Sequence, residues 1–405
     1  MESNLNLDQT FVSDNLVSVE TGGLIVNNVL DMRLHEFFFI SIYFIIFIFL
    51  VKFFIKSQKL NKNKVYFLIS YHYCFIILAY IYSLLYVNDT DSFFQQAYLF
   101  NDADDIYIAN NTMALINHFL IYLFNLHYFS IFIFLGFFSS MGFLFLFISF
   151  SEILNEFEIN KNLLFALFLF PTWHFFTSFP GKDSIFLFSL GLFCFSLMKK
   201  KFFYLIISII LIYLIRPHIS FLFLVSGLLI WMHYFFLDMF KSKISYFILF
   251  VSFSSIFLVL LKNFSPDYFY TLFNFFEEGA IVRGYNPLET GWYVTGNNIF
   301  SNSLKYLFYP LFDFSSLNRL ISSLENILII FLILRTSLNF NKKVFIQMIK
   351  KKELMFAILI FTMILVLLSN FTANIGISAR QKWMMMPFLF LFIIPFLSKF
   401  KSSRL

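Results

Sequence analysis

The chain has 405 residues, of which 60% are hydrophobic and 13% charged, with a mean hydropathy of +0.80. Soluble domains carry about a quarter charged residues, so this composition excludes a soluble globular enzyme and describes an all-α, polytopic integral membrane helical bundle. The net charge of +6 comes from cation clusters between apolar runs, which implies contact with membrane lipid and gives no sign of a nucleic-acid partner.

The first 36 residues form a polar, acidic tail, with Glu2, Asp8, Asp14, Glu20, Asp31 and Glu36 against one Arg33. No cleavable signal is visible in it, and an acidic tail without a basic cluster is expected outside. Apolar runs of about 17–25 residues are spans. Residues 37–55 run inward to the cluster Lys52–Lys64, and 65–87 run outward. Residues 88–111 are expected as an acidic loop. Residues 112–126, interrupted by Asn117, His118 and Asn125, suit an interfacial or re-entrant helix on the outer side. Residues 128–150 return inward. Residues 163–179 run out and 184–198 return, with Phe179-Pro180-Gly181-Lys182-Asp183 as the outer turn.

The short run 202–215 ends at Arg216-Pro217-His218. Residues 219–237 lead to Lys241 and Lys243, and 244–261 run out. A long outer loop, 262–303, carries Glu277, Glu278, Arg283 and Gly284. Residues 304–314 are expected to dip into the interface. Residues 317–334 run in to the cluster Arg335–Lys352, 354–368 run out, and 383–397 end at a basic tail. The expectation is about eleven spans of ordinary length, N-terminus outside and C-terminus cytoplasmic. One transmembrane domain, 37–398, carries outer loops 88–127, 262–303 and 370–382, between the acidic tail 1–36 and the basic tail 399–405. Every basic cluster then falls on the cytoplasmic side. The scattered cations fall near the outer face, where a charge at the membrane is expensive and so marks function.

Several outer-face groups have the chemistry for a site. Pro217 breaks the helix where a guanidinium and an imidazole stand side by side. Arg216 suits bidentate phosphate recognition and His218 acid–base work. Lys182 and Asp183 follow Pro-Gly and open a helix, Asp183 as a cap or first-turn acid and Lys182 as a cation where helix N–H groups favour anions. His174 is expected as a hydrogen-bonded bundle residue. Arg380 and Lys382 end a polar loop before the last span. Asp102, Asp104 and Asp105 are hard oxygen ligands for a divalent metal, but without calcium-loop spacing no metal or other cofactor is expected. Cys74 and Cys194 lie inside apolar runs and make no disulfide framework. The chain has no Walker loop, GxGxxG, HExxH or GxSxG, so ATP hydrolysis and nicotinamide chemistry are not expected.

Phe170-Pro171-Thr172-Trp173 through Gly181-Lys182-Asp183, then Arg216-Pro217-His218, resembles integral-membrane proteins of bacterial surface-polysaccharide loci. So do Tyr309-Pro310, Leu324-Glu325-Asn326, Asn374-Ile-Gly376 and Arg380-Gln381-Lys382. Such proteins are oligosaccharide repeat-unit (O-antigen-type) polymerases or relatives of polyprenyl-linked-sugar-dependent membrane glycosyltransferases. The resemblance implies glycosyl transfer at the outer face of the bacterial cytoplasmic membrane. The donor would then be a polyprenyl-diphosphate-linked glycan, and the resemblance makes other polysaccharide-assembly membrane proteins candidate partners. Lys182, Arg216, Arg283, Arg380 and Lys382 would then stabilise the diphosphate leaving group, and Asp91, His218 or Glu277 would deprotonate the acceptor hydroxyl. The outer loops are shorter than in many polymerases. The competing expectations are a lipid-linked glycan flippase or other transporter, with ionisable residues and broken helices at the midplane, and a structural subunit of an envelope complex.

Overall fold

The computed structural model describes residues 34–86, 89–98, 110–157, 161–239, 299–371 and 375–397. Asp102, Asp104, Asp105, Glu277, Arg283, the run 244–261, most of the acidic tail and the basic C-terminus lie outside the described residues. Every regular element among the described residues is helical. Six helices are long and apolar enough to cross a membrane, and eight spans result if each of two bent helix pairs counts as one. This is the make-up of a polytopic helical membrane protein.

The described residues divide into two compact units, one through Phe221 and the other from Leu222 to Leu397. In the first unit, α1 (Leu34–Ser57), α2 (Lys62–Leu85) and α5 (Tyr128–Ile153) are full-length candidate spans. Asn61 starts α2 by accepting from the N–H groups of Asn63 and Lys64. The expected loop 88–111 contains a helix, α3 (Asp89–Tyr98). It forms because Thr90, Asp91, Phe93, Phe94 and Ala97 recur at helical spacing on one buried face. The expected re-entrant segment is α4 (Asn110–Phe124), 15 residues long.

The expected span 163–179 is not continuous. It splits into α6 (Lys161–Leu167) and α7 (Pro171–Thr177). Pro171 supplies no N–H and disfavours helix at Phe170, so α6 must stop. α7 pairs instead with α8 (Lys182–Lys199) across a 110° bend. α9 (Phe202–Ile215) follows, at 14 residues. α10 (Pro217–Met239) begins in the first unit and continues into the second.

The closest packing in the first unit is between α5 and α8, and small residues explain it. A Cβ on Gly142 would lie 2.5 Å from the Leu187 carbonyl oxygen, and one on Gly191 would lie 2.4 Å from the Gly142 carbonyl oxygen. Ser149, Ser189 and Ser196 turn their hydroxyls back to Phe145, Ile185 and Leu192 of their own helices, at 2.7, 2.7 and 2.5 Å. Their polar needs are met internally, so the two backbones can approach. Phe47 and Val51 of α1, Val65 of α2, Met141, Leu144, Phe145 and Ile148 of α5, and Leu192 of α8 form a buried core beside this contact.

The two ends of this unit differ in charge chemistry. At one, Lys199 pairs with Glu152 at 2.6 Å and Lys64 bonds Asn162 and the Lys161 carbonyl. At the other, Tyr128 at the start of α5 bonds Asp91, and Asp183 at the start of α8 pairs with Arg216. At 1.5 Å per residue the length of α5 between Tyr128 and Glu152 is about 36 Å, enough to cross a hydrocarbon core of about 30 Å.

The second unit contains α11 (Ile299–Phe308), α12 (Leu317–Leu338), α13 (Lys342–Ile349), α14 (Lys352–Phe371), α15 (Ile375–Gln381) and α16 (Met386–Leu397). α14 packs against α11 and α16, and Phe223 of α10 places its ring 5.8 Å from Phe356 and 5.9 Å from Phe388. The expected outer loop 370–382 is mostly helix, the end of α14 followed by α15.

Gly142→Val and Gly191→Val are expected to destabilise the protein by about 1–3 kcal/mol or more, as overpacking does. The readout is a lower thermal midpoint in detergent. Gly227, with no atom within 4 Å of its would-be Cβ, is the control, and Gly227→Ala should leave the midpoint unchanged or raise it.

Candidate functional site

Four of the sequence candidates, Lys182, Asp183, Arg216 and His218, meet within the first unit, and a fifth, Asp91, lies on α3, the helix that faces Lys182. Arg216 stands between the last residue of α9 and the proline that opens α10. Its φ of −146° and ψ of 77° are non-helical, as the residue before a proline requires. Its carbonyl accepts from the N–H groups of Ile219 and Ser220 at 3.0 and 3.1 Å, so Arg216 also starts α10. The guanidinium is buried and donates to the Asp183 carboxylate at 2.6 Å. Asp183 sits in the first turn of α8, where Gly181 is the N-cap and gives no side-chain bond. It is therefore a first-turn acid, and its anion is stabilised by the helix N-terminus as well as by Arg216.

Lys182 places its ammonium 5.8 Å from the centre of the Phe93 ring on α3. His218, in the first turn of α10, lies within electrostatic reach of both Arg216 and Lys182. Asp91, two residues before Phe93 on α3, is buried and accepts from the Tyr128 hydroxyl at 2.5 Å. Two carboxylates, two cations and one imidazole thus come from the starts of α3, α8 and α10. Tyr128 had no local signal, because only the fold brings it to Asp91.

His174 belongs elsewhere. Its Nδ1 faces Nδ1 of His72 at 3.0 Å, its Nε2 lies 2.6 Å from the Phe168 carbonyl, and His72 Nε2 lies 2.6 Å from the Ser139 hydroxyl. All these groups are buried, and Phe143 stacks on His174 with ring centres 4.1 Å apart. One neutral arrangement makes all three contacts hydrogen bonds, with Ser139 giving its one hydrogen to His72 and not to the Gly136 carbonyl 2.9 Å away. A carbonyl only accepts, so His174 carries its hydrogen on Nε2. His174 Nδ1 then accepts from His72 Nδ1–H, and His72 Nε2 accepts from Ser139. The Phe168 carbonyl is one that the Pro171 break denies to the helix; its neighbour Leu169 accepts from the Tyr71 hydroxyl at 3.1 Å. His174 is therefore a bundle residue that repairs a helix break. His72 lies within the apolar run 65–87, and nothing beside it in the sequence marks His174 as its partner.

A second polar cluster lies within the second unit. Asn326 of α12 donates to the Pro310 carbonyl at 2.9 Å and accepts from Lys382 at 2.5 Å. Lys382 is fully buried, 5.7 Å from the centre of the Trp383 ring and within electrostatic reach of Glu325. Three motifs far apart in sequence, 309–310, 325–326 and 380–382, meet here. Lys382, expected as a cation at the outer membrane edge, holds its ammonium inside the fold, tied to Asn326. Arg380, on α15, is partly buried. Nearby, Asp313 accepts from the Ser315 hydroxyl at 2.6 Å, the Ser315 N–H at 3.0 Å and Arg319 at 3.2 Å. The Ser315 bonds, then the Arg319 charge, hold its carboxyl below the usual aspartate range.

Glu36 joins α1 to α5 by accepting from the His127 ring, the His127 N–H and the Ser130 hydroxyl. Among the described residues no group of three or more His, Cys, Asp or Glu side chains is placed to hold a metal ion. No known protein family matches the chain, and neither a curated protein nor a solved structure does.

Removing one partner of a buried ion pair strands the other charge, so Asp183→Ala should cost about 3–5 kcal/mol. Replacing both, in Asp183→Leu/Arg216→Met, should restore most of that loss in a thermal melt. The depressed Asp313 carboxyl stabilises the fold in full above the ordinary aspartate value of about 3.9. That stability is lost as pH falls through the lower folded value. Arg319→Gln should move the Asp313 titration, followed by carboxyl carbon NMR, upward toward the ordinary value.

Proposed function

We propose that the protein transfers glycosyl groups at the outer face of the bacterial cytoplasmic membrane, extending or polymerising polyprenyl-diphosphate-linked oligosaccharide repeat units. The observation that supports this reading most is the gathering of Asp91, Lys182, Asp183, Arg216 and His218 at one end of the first unit. The basic clusters of that unit lie at the other end, and by the positive-inside rule that end is cytoplasmic. In this reading the cluster end is outer and the N-terminus is outside, and the C-terminus is taken as cytoplasmic from its basic residues alone.

In this reading Lys182 and Arg216, with the N-termini of α8 and α10, oppose the charge that develops on the departing diphosphate. Asp183 keeps the guanidinium planar fork in place. Asp91 or His218 takes the proton of the acceptor hydroxyl, and the hydroxyl oxygen forms the new bond to the anomeric carbon as the diphosphate leaves. Arg380 is a further anion-binding cation, in the second unit.

One set of observations favours transport of a lipid-linked glycan instead. The buried Lys382 with Asn326 and Glu325, the His72–His174 pair, and two helix pairs bent by 110° and 58° are polar groups and breaks inside candidate spans.

Deletion of the gene in its native host, followed by electrophoresis of the surface glycan, separates the two. Glycosyl transfer predicts that the deletion leaves single repeat units. Wild type should restore the chain-length ladder, and Lys182→Gln should not, despite normal membrane abundance. A glycan lacking one sugar but still polymerised indicates a single-sugar transferase. Loss of the surface glycan altogether, single repeat units included, indicates transport, and an unchanged ladder in the deletion strain sinks the enzyme reading.

A further inference from the structure

Helix α4 carries an observation that the five-residue cluster does not absorb. Asn117 occupies the middle of its buried face: Met113 and Ala114 lie one turn before it, Leu120 and Ile121 one turn after, and all four are buried. Asn117 is itself 0% exposed. Neither its Nδ2 nor its Oδ1 has a hydrogen-bond partner among the described residues. A buried polar group left unsatisfied costs about 1–3 kcal/mol, and leucine, close to asparagine in shape, would complete the apolar stripe around it without that cost. Retaining an amide here calls for a partner that the described residues do not provide.

The position of α4 says where that partner comes from. His118, the next residue, bonds the Ala97 carbonyl of α3 through Nδ1 at 2.8 Å. Thr112 donates to the Leu214 carbonyl of α9 at 3.1 Å. α3 carries Asp91, and Leu214 is two residues before Arg216. The helix that bears the unsatisfied amide is thus tied on one side to the carrier of the carboxylate and on the other to the carrier of the guanidinium.

We propose that Asn117 is a substrate-reading residue of the first-unit site, its amide donating to and accepting from adjacent hydroxyls of a glycan. This rests on the glycosyl-transfer reading and gives the site a sugar subsite beside its anion-holding cations. The amide's own chemistry selects the ligand class. A phosphate or carboxylate would satisfy Nδ2 and set negative charge against Oδ1, and an ammonium would do the reverse. Neighbouring sugar hydroxyls each donate and accept, so a pair of them matches both ends of the amide. Sites that bind a hydroxyl with buried polar groups also reject analogues lacking it by several orders of magnitude. Asn117 is then a specificity determinant rather than a source of bulk affinity.

The test is Asn117→Leu, read in two ways on the full-length chain. One is the thermal midpoint of the purified protein in detergent. The other is the surface-glycan ladder in the deletion host. The expected result is a midpoint equal to wild type or higher, with the ladder collapsed to short chains at equal membrane abundance. A lowered midpoint would mean that the amide is held by water or by the fold, and overturns the proposal. An unchanged midpoint with a full ladder overturns it too, because the amide then matters to neither fold nor substrate. Should the leucine variant fail to accumulate, Asn117→Ala is scored against the same two outcomes. Failure of the underlying reading is a separate event: the deletion host shows a normal ladder before any variant is introduced.

Discussion

In an apolar surrounding a helix cannot break unless the polar groups it releases find donors and acceptors inside the protein. That constraint organises the first unit. At Pro171 the freed carbonyls of Phe168 and Leu169 draw in His174 and Tyr71, and His174 draws in His72 and Ser139 behind it. At Pro217 the freed residue is an arginine, whose carbonyl starts the next helix while its guanidinium requires the Asp183 carboxylate. The first break is resolved by neutral groups and the second by an ion pair. Only the second leaves charged groups together, which is why the candidate chemistry sits there.

The same constraint separates structural cations from candidate functional ones. Lys382 and Arg216 are both buried, but their surroundings differ. Lys382 donates to a neutral amide that is itself committed to the Pro310 carbonyl, so it closes a chain of bonds across three segments. Arg216 stands beside Lys182 and His218, in a group that holds more titratable residues than a helix break requires. An excess of ionisable side chains over structural need is the usual mark of a site where charge develops during a reaction or a binding step.

Much of this architecture was legible in the sequence. Apolar runs near residues 37–55, 65–87, 128–150 and 354–368 are helices of spanning length because their composition leaves no alternative in lipid. The break at Arg216-Pro217 is equally plain. Two features were misjudged because local signals competed. The run 163–179 has the length of a span, but the helix-stopping effect of Pro171 prevails over length. The stretch beginning at Asp89 has the acidity of a loop, and acidity outweighed the helical spacing of its Phe and Ala residues. Other features had no local signal at all. His72 and His174 are 102 positions apart, and nothing near either residue announces the other. The same holds for Asp91 with Tyr128, and for Asn326 with Lys382, where the motifs were visible but their convergence was not.

The contact of α5 with α8 through Gly142 and Gly191 has a mechanical consequence. Backbone atoms touch there without intervening side chains, so neither helix can rotate or slide past the other by a residue without collision. The pair is a stator. Any change of shape in this unit must come from the jointed pieces around it, the α7–α8 bend and the Arg216 junction. Lys182, Asp183, Arg216 and His218 stand at those joints, so the candidate cluster lies where the rigid pieces of the unit meet.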